Sequence, residues 1–450
     1  MTMKEKVMQG RPYKTVACML VAFGCWTLCA KTVDAIAFGA KPDGVTDNTA
    51  AIQKAIDACH DAGGGTVVVP AGGTYVTYTL SLKSNVSLEI ERGAVLMGGT
   101  DPFKYPLFEP TPLWHVERSP RFNRRAMFYT CGQTNVTITG GGAIDGNAIA
   151  FHHRAANGIW VRNSHTNITG RCVFFVACVD VAVRDVTIRN PSGWSTWFLD
   201  CDRVDIRNLT INADPRFPNG DGIHLGACRD VTVSDCVVHS QDDALILRAH
   251  QEQCRSPRPL ERVLVTNCLL DSRRCATVRI GWCGDAPVRD CTLSNIISRD
   301  TSLGVELWIP KHNNEGQVDP PRSAELHEPP GMLPFAVENI RFSNLDMTCR
   351  RGPFSVSIHK DIRVEHIRNI SFSHCRFKCR QSPKIGRGAS PKDHLSDWSF
   401  DNVEFDIEGN DNETQCPWFS DIENLSLNNV RWNVRRATDA QKPNPASVRQ

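Results

Sequence analysis

Val183-Arg184-Asp185-Val186-Thr187-Ile188 and Ile206-Arg207-Asn208-Leu209-Thr210-Ile211 share one pattern: alternating apolar residues, one Asn or Asp, then more alternation. It returns as Val233-Ser234-Asp235-Cys236-Val237-Val238, Val265-Thr266-Asn267-Cys268-Leu269-Leu270 and Val288-Arg289-Asp290-Cys291-Thr292-Leu293. Shorter forms at Phe342-Ser343-Asn344-Leu345, Phe372-Ser373-His374-Cys375, Phe400-Asp401-Asn402-Val403 and Leu427-Asn428-Asn429-Val430 carry it to the end of the chain. Period-two alternation specifies strand. The polar residue suits a turn, because Asn and Asp tolerate left-handed backbone. The anchors Asp185, Asn208, Asp235, Asn267 and Asp290 lie 23, 27, 32 and 23 residues apart. A floor near 23 with variable excess fits coils of short strands whose turns accept insertions. A sandwich or propeller would join its strands by hairpin turns instead. The spacing therefore predicts an all-β fold, a right-handed single-stranded parallel β-helix. The 54 residues from Asp290 to Asn344 predict one further coil and a loop marked by Pro320-Pro321 and Pro329-Pro330-Gly331.

The solenoid is predicted over residues 31–435. It begins with a short N-terminal capping helix: Asp47-Asn48-Thr49 supplies an N-cap, Ile52, Ala55, Ile56 and Cys59 share one face, and Gly63-Gly64-Gly65 stops it. Such a helix shields a solenoid's open end. Residues 1–30 read as a signal peptide, with basic residues before the apolar run Val16–Trp26 and a cleavage site near Leu28-Cys29-Ala30. Residues 436–450 read as a flexible tail. The expected location is secreted or periplasmic, with no membrane attachment after cleavage. Lys+Arg 51 against Asp+Glu 49 gives no reason to expect nucleic acid. Of 19 cysteines, Cys236, Cys268, Cys291 and Cys375 recur at one point of the repeat and are expected as small buried hydrophobes. No Cys/His spacing suits zinc, so no metal and no cofactor are expected, and the chain is expected to act as a monomer.

Two further motifs carry chemistry. Pro218-Asn219-Gly220-Asp221-Gly222-Ile223 and Ser240-Gln241-Asp242-Asp243-Ala244-Leu245 set Asp221 and Asp243 22 residues apart, one repeat of the solenoid. One repeat is one strand spacing, about 4.8 Å, so three carboxylates would share one exposed face. In isolation Asp-Asp and Asp-Gly are solvated turns. Stacked, they are what glycosidic hydrolysis requires. Crowding raises at least one carboxyl pKa, leaving an acid and a base side by side.

With Phe38-Gly39-Ala40-Lys41-Pro42-Asp43-Gly44-Val45-Thr46-Asp47-Asn48-Thr49, these motifs resemble the polygalacturonase-type (family 28) glycoside hydrolases, pectin-degrading β-helix enzymes. The resemblance runs from about Lys31 to Trp308, and the coil pattern extends it to about Trp432. It implies a polysaccharide or oligosaccharide substrate and an inverting mechanism. Asp242 would be the general acid, and Asp221 and Asp243 would activate water. Substrate-binding candidates are Asn219, His224, Arg248, Arg279, Glu306 and Trp308. The chain departs from the family at two places. Ala276 stands where the family has a histidine, and Glu306-Leu307-Trp308 stands where polygalacturonases carry Arg-Ile-Lys. These departures imply altered subsite specificity on a galacturonan or rhamnogalacturonan-like pectin, with exo action one expectation and endo action left open. Trp308 is expected to stack on a neutral sugar. His224, three residues after Asp221, is expected either to stand in for the missing histidine or to serve the turn or strand face. His152-His153 and the basic loop Arg118 to Arg125 are expected to wall the cleft, and Trp194 to pack between coils. Two rival readings remain: a pectate-lyase-like polysaccharide lyase, and a non-catalytic carbohydrate-binding β-helix.

Overall fold

The computed structural model describes residues 31–114, 125–162, 170–282, 284–310, 331–359, 362, 364–386, 395–409, 419 and 421–436. The leader, the tail beyond 436, most of the Arg118–Arg125 loop and the proline-marked loop before Gly331 lie outside the described residues.

Every coil adds its strands in parallel to those of the coil before. One parallel sheet of nine strands runs Ala126–Cys131, Arg171–Val176, Thr196–Leu199, Ile223–Gly226, Leu245–Arg248, Ala276–Ile280, Leu303–Ile309, Phe354–Ile358 and Lys384–Gly386. The other walls form a 23-stranded set. Antiparallel strand pairing among the described residues is confined to the small hairpin His152–Arg154 with Trp160–Arg162 and a few isolated bridges. This is a parallel β-helix, and the hairpin-built sandwich and propeller are excluded.

The alternation seen in sequence becomes inside and outside. Inward positions stack like on like: Phe342 lies over Phe372 at 4.6 Å, and Phe372 over Phe400 at 5.1 Å with ring planes 2° apart. The helix Thr49–Asp61 buries Ile52, Ala55, Ile56 and Cys59 against the first rungs. Its cap differs in detail from expectation. Asn48 occupies the cap position but spends its side chain on Lys41 and Thr46, while the Asp47 carboxylate accepts from the Thr49 amide at 3.1 Å. The described cysteines carry free thiols, and nearly all are buried.

The anchor residues occupy left-handed backbone, but in two columns rather than one. Asp185, Asn208, Asp235, Asn267, Asn295 and Asn344 form the first. Its side chains bond coil to coil, with Asn295 to Asn267 at 3.1 Å and Asn344 to Asn295 at 3.0 Å. Asp290 belongs to the second column, five residues earlier in each coil, where Asn339 donates to it at 2.8 Å. The expectation of a further coil between Asp290 and Asn344 is thereby corrected, since Val288–Thr301 pairs directly with Val337–Cys349. Cys291 likewise leaves the column of Cys236, Cys268 and Cys375 and pairs with Val263. The second column contains Arg203 and Arg262, whose left-handed φ of 54° and 56° is costly for arginine. Each forms a two-point ion pair with the aspartate one coil before, Asp180 and Asp230.

Phe372→Ala should open a void between two stacked rings and destabilise the fold by about 3–5 kcal/mol. A fall of that size in chemical denaturation checks it, and no change would contradict the aromatic column as a source of stability.

Candidate active site

The parallel ladder brings the acidic motifs together. Ile223 pairs with Leu245, and the Gly222 amide donates to the Asp243 carbonyl at 2.8 Å. Asp221 and Asp243 thus hold the same place on consecutive coils, each two residues ahead of a paired strand residue. Their turns are tied by the Gln241 amide, which donates to the Gly220 carbonyl at 3.0 Å. The Asp242 carbonyl accepts from two hydroxyls, Ser240 at 2.5 Å and Ser272 at 2.7 Å. The Asp243 amide donates to the Asp242 carboxylate at 2.9 Å. Asp221 and Asp243 are buried, and Asp242 is the more accessible of the three.

Asp243 receives the densest set of contacts. Arg279 grips it with Nε at 2.9 Å and Nη2 at 3.0 Å, and the Ala276 amide donates at 2.8 Å. Burial nevertheless raises its pKa to about 6; Arg279 opposes the rise and the Asp242 charge adds to it. Desolvation of a carboxylate outweighs one guanidinium here because the guanidinium is shared. Its Nη2 also lies 3.0 Å from Glu306.

Cys275 sits beside the doublet, and one ligand atom from each of Asp242, Asp243 and Cys275 falls within 4.8 Å of the others. Burial and the two carboxylates push the Cys275 thiol far up, which holds it as a protonated donor toward Asp242 rather than a thiolate ligand.

Of the remaining candidates, Arg279 and Glu306 link directly to Asp243 through ion pairs, and the others make contacts of their own. Arg248 forms a buried two-point pair with Asp285, at 2.8 and 3.1 Å, and lies 5.1 Å from the Trp282 ring. Both arginines therefore already hold carboxylates of the protein. Trp308 meets Trp282 edge to face at 4.5 Å and has the Arg279 guanidinium at 4.9 Å. Asn219 takes left-handed backbone at φ 58° in the turn before Asp221. His224 is a strand residue, buried against Trp194 at 4.2 Å and His250 at 5.0 Å. Burial, with Arg248 and Arg171 nearby, drives its pKa well down, so it is a neutral imidazole. Trp194 packs as expected, between His224 and Arg171. His152 packs on Phe217 at 4.8 Å, close in sequence to Asn219, whereas His153 is exposed.

Sequence reasoning missed Ser240, Ser272, Cys275, Trp282 and Asp285. Ser240 and Ser272 sit at matched coil positions, a signal available from the repeat. Asp285 carries none, since its role depends on a turn outside the repeating pattern.

The fold and site together are those of a parallel β-helix with carboxylates stacked on two consecutive turns. Residues 59–268 match "Glycosyl hydrolases family 28". A probable polygalacturonase of Vitis vinifera is 24% identical over 315 residues, 68% of this chain and 60% of the relative. An exo-poly-alpha-D-galacturonosidase of Dickeya chrysanthemi is 28% identical over 265 residues, 50% of this chain and 43% of the relative. The chain thus spans about half the length of these curated relatives. Among solved structures, a hyperthermoactive exopolygalacturonase from Thermotoga maritima superposes with a TM-score of 0.66 at 19% identity, covering 90% of this chain and 92% of that one. Over residues 59–268 the chain is thus similar to the family 28 glycosyl hydrolases, and these relatives carry polygalacturonase names.

Gly222 lets the Asp221 turn approach the Asp243 coil: a Cβ there would meet the Ala244 carbonyl oxygen at 2.2 Å and Val238 Cγ1 at 2.6 Å. Gly222→Ala should part the two coils, lowering stability by about 1–3 kcal/mol and activity with it. Denaturation midpoint and turnover measured on one preparation check this, and an unchanged midpoint would contradict the close approach.

Proposed function

We propose that this chain is an exported glycoside hydrolase that cleaves α-glycosidic bonds in pectin-type polysaccharide, with inversion. The observation that carries the reading is the stacking of the Asp221 turn on the Asp242-Asp243 turn. Asp242, the accessible carboxyl, protonates the leaving oxygen. Asp243 and Asp221 orient and deprotonate the attacking water. Asp243 serves as base only when ionised. A carboxyl with a pKa raised to about 6 is ionised above that pH and protonated below it. Activity should accordingly fall as pH drops through about 6, with the apparent value belonging to the coupled Asp242–Asp243 pair.

The subsite beyond Asp243 differs from a simple uronate clamp. Arg279 and Arg248 are already neutralised by Asp243, Glu306 and Asp285. Trp308 and Trp282 add apolar surface. This combination suits a neutral sugar next to the cleaved linkage better than a second galacturonate. The first rungs of the nine-stranded sheet are roofed on their outer side, with Phe108 stacked on Tyr129 at 3.7 Å and Trp114 against Phe174 at 5.0 Å. A groove closed at one end favours attack from a chain end, in keeping with the exo-acting names of the Dickeya and Thermotoga proteins.

The test is digestion of homogalacturonan, rhamnogalacturonan and aryl α-glycosides. New reducing ends should appear without an ultraviolet-absorbing unsaturated product, and small products should dominate from the start. Asp242→Asn should lose about 10²–10⁴-fold in kcat while still binding the polymer. An unsaturated product would turn the assignment to a lyase. Absence of turnover in the native protein with binding retained would turn it to a carbohydrate-binding solenoid.

A further inference from the structure

Arg279 stands between two carboxylates from different coils. Its strand neighbours in register are Ile246 before it and Glu306 after it. Nε donates to Asp243 Oδ2 at 2.9 Å. Nη2 donates to Asp243 Oδ1 and lies within bonding distance of Glu306 Oε2, both at 3.0 Å. One nitrogen thus serves two acids. The third nitrogen, Nη1, is buried without a hydrogen-bond partner among the described residues. Trp308, with its ring centroid 4.9 Å from the guanidinium carbon, supports the group from a further side.

We propose that Glu306 is a positioning residue for Asp243, acting through Arg279: its carboxylate holds the guanidinium in place and draws part of its charge away from Asp243. The geometry favours this over a direct grip on substrate, since a bound uronate would meet a guanidinium already facing two carboxylates. Other groups around Asp243 act in fixed ways. Asp242 in the same turn adds negative charge. Cys275 on the coil after is held as a neutral thiol, and Arg248 is closed onto Asp285. Glu306 differs from these in that it acts by sharing Arg279.

The catalytic consequence rests on Asp243 being the water-activating carboxylate; the electrostatic link does not. The two are separated by measuring Asp243 itself. In Glu306→Gln the side chain keeps its length and an acceptor oxygen but loses its charge. The Asp243 carboxyl resonance, followed by carbon-13 NMR through a pH titration of the full chain, should move down by about half a unit to one unit. The acid limb of kcat/KM should move with it, with KM little changed. Glu306→Asp, which keeps the charge but withdraws it from Nη2, should give a smaller shift in the same direction and serves if the glutamine variant does not fold. An Asp243 titration unmoved in both variants overturns the proposal, whether or not KM or the melting temperature changes. A titration that moves while the acid limb stays fixed upholds the link and removes Asp243 from the base role.

Discussion

The backbone ladder between coils is the constraint on which everything else depends. Amides of each coil donate to carbonyls of the coil before and the coil after, so positions one repeat apart in sequence become neighbours about 4.8 Å apart in space. The ladder treats all side chains alike. It stacks Phe372 on Phe400, Asn344 on Asn295, and Asp221 level with Asp243. In the first two cases stacking supplies contacts. In the third it forces like charges together, and the surrounding residues have to absorb the repulsion.

They absorb it in several distinct ways. Arg279 meets Asp243 with two nitrogens. Backbone amides donate into the same turn, from Ala276 to Asp243 and from Asp243 to Asp242. Ser240 and Ser272 fix the turn through the Asp242 carbonyl, leaving its carboxylate turned to the more accessible side. Burial works against all of this, and the result is a carboxyl poised near pH 6 beside one that is easier to reach. Two chemically identical side chains thereby stand in different surroundings, one buried and gripped by an arginine, the other accessible.

Much of this was legible in the sequence. Period-two alternation gave the strands, the repeat floor gave the coil, and Asp221 and Asp243 could be aligned from their spacing alone. The failures share one cause. From Asp180 onward the coils carry two left-handed turn positions five residues apart, most of them filled by Asn or Asp and flanked by similar apolar residues. Asp290 and Asn295 therefore present the same local pattern, and only coil-to-coil pairing separates them. Arg203 and Arg262 hide the second column, because arginine is not a residue that announces left-handed backbone. The roles of Arg248 and Arg279 were open for a similar reason. A sequence shows an arginine a few residues beyond an acidic or matching turn, but not that Asp285 or Glu306 has been brought within 3 Å of it.

Glu306 shows how such a stack tolerates a charge that would otherwise be excluded. A carboxylate one coil from Arg279 and two from Asp243 adds a negative charge to a face that already holds three. Without the guanidinium between them, the acids would repel in a partly dry site where such forces are weakly screened. With it, the column reads acid, base, acid along successive coils, the same alternation by which Asp180, Arg203, Asp230 and Arg262 neutralise one another in the second turn column. The difference is burial. In that exposed column the alternation offsets the strain of left-handed arginines, and solvent screens what remains. At Arg279 the same alternation is enclosed by Trp308 and the strands, so a change at one member is felt at the next, and the proton on Asp243 becomes sensitive to a residue two coils away.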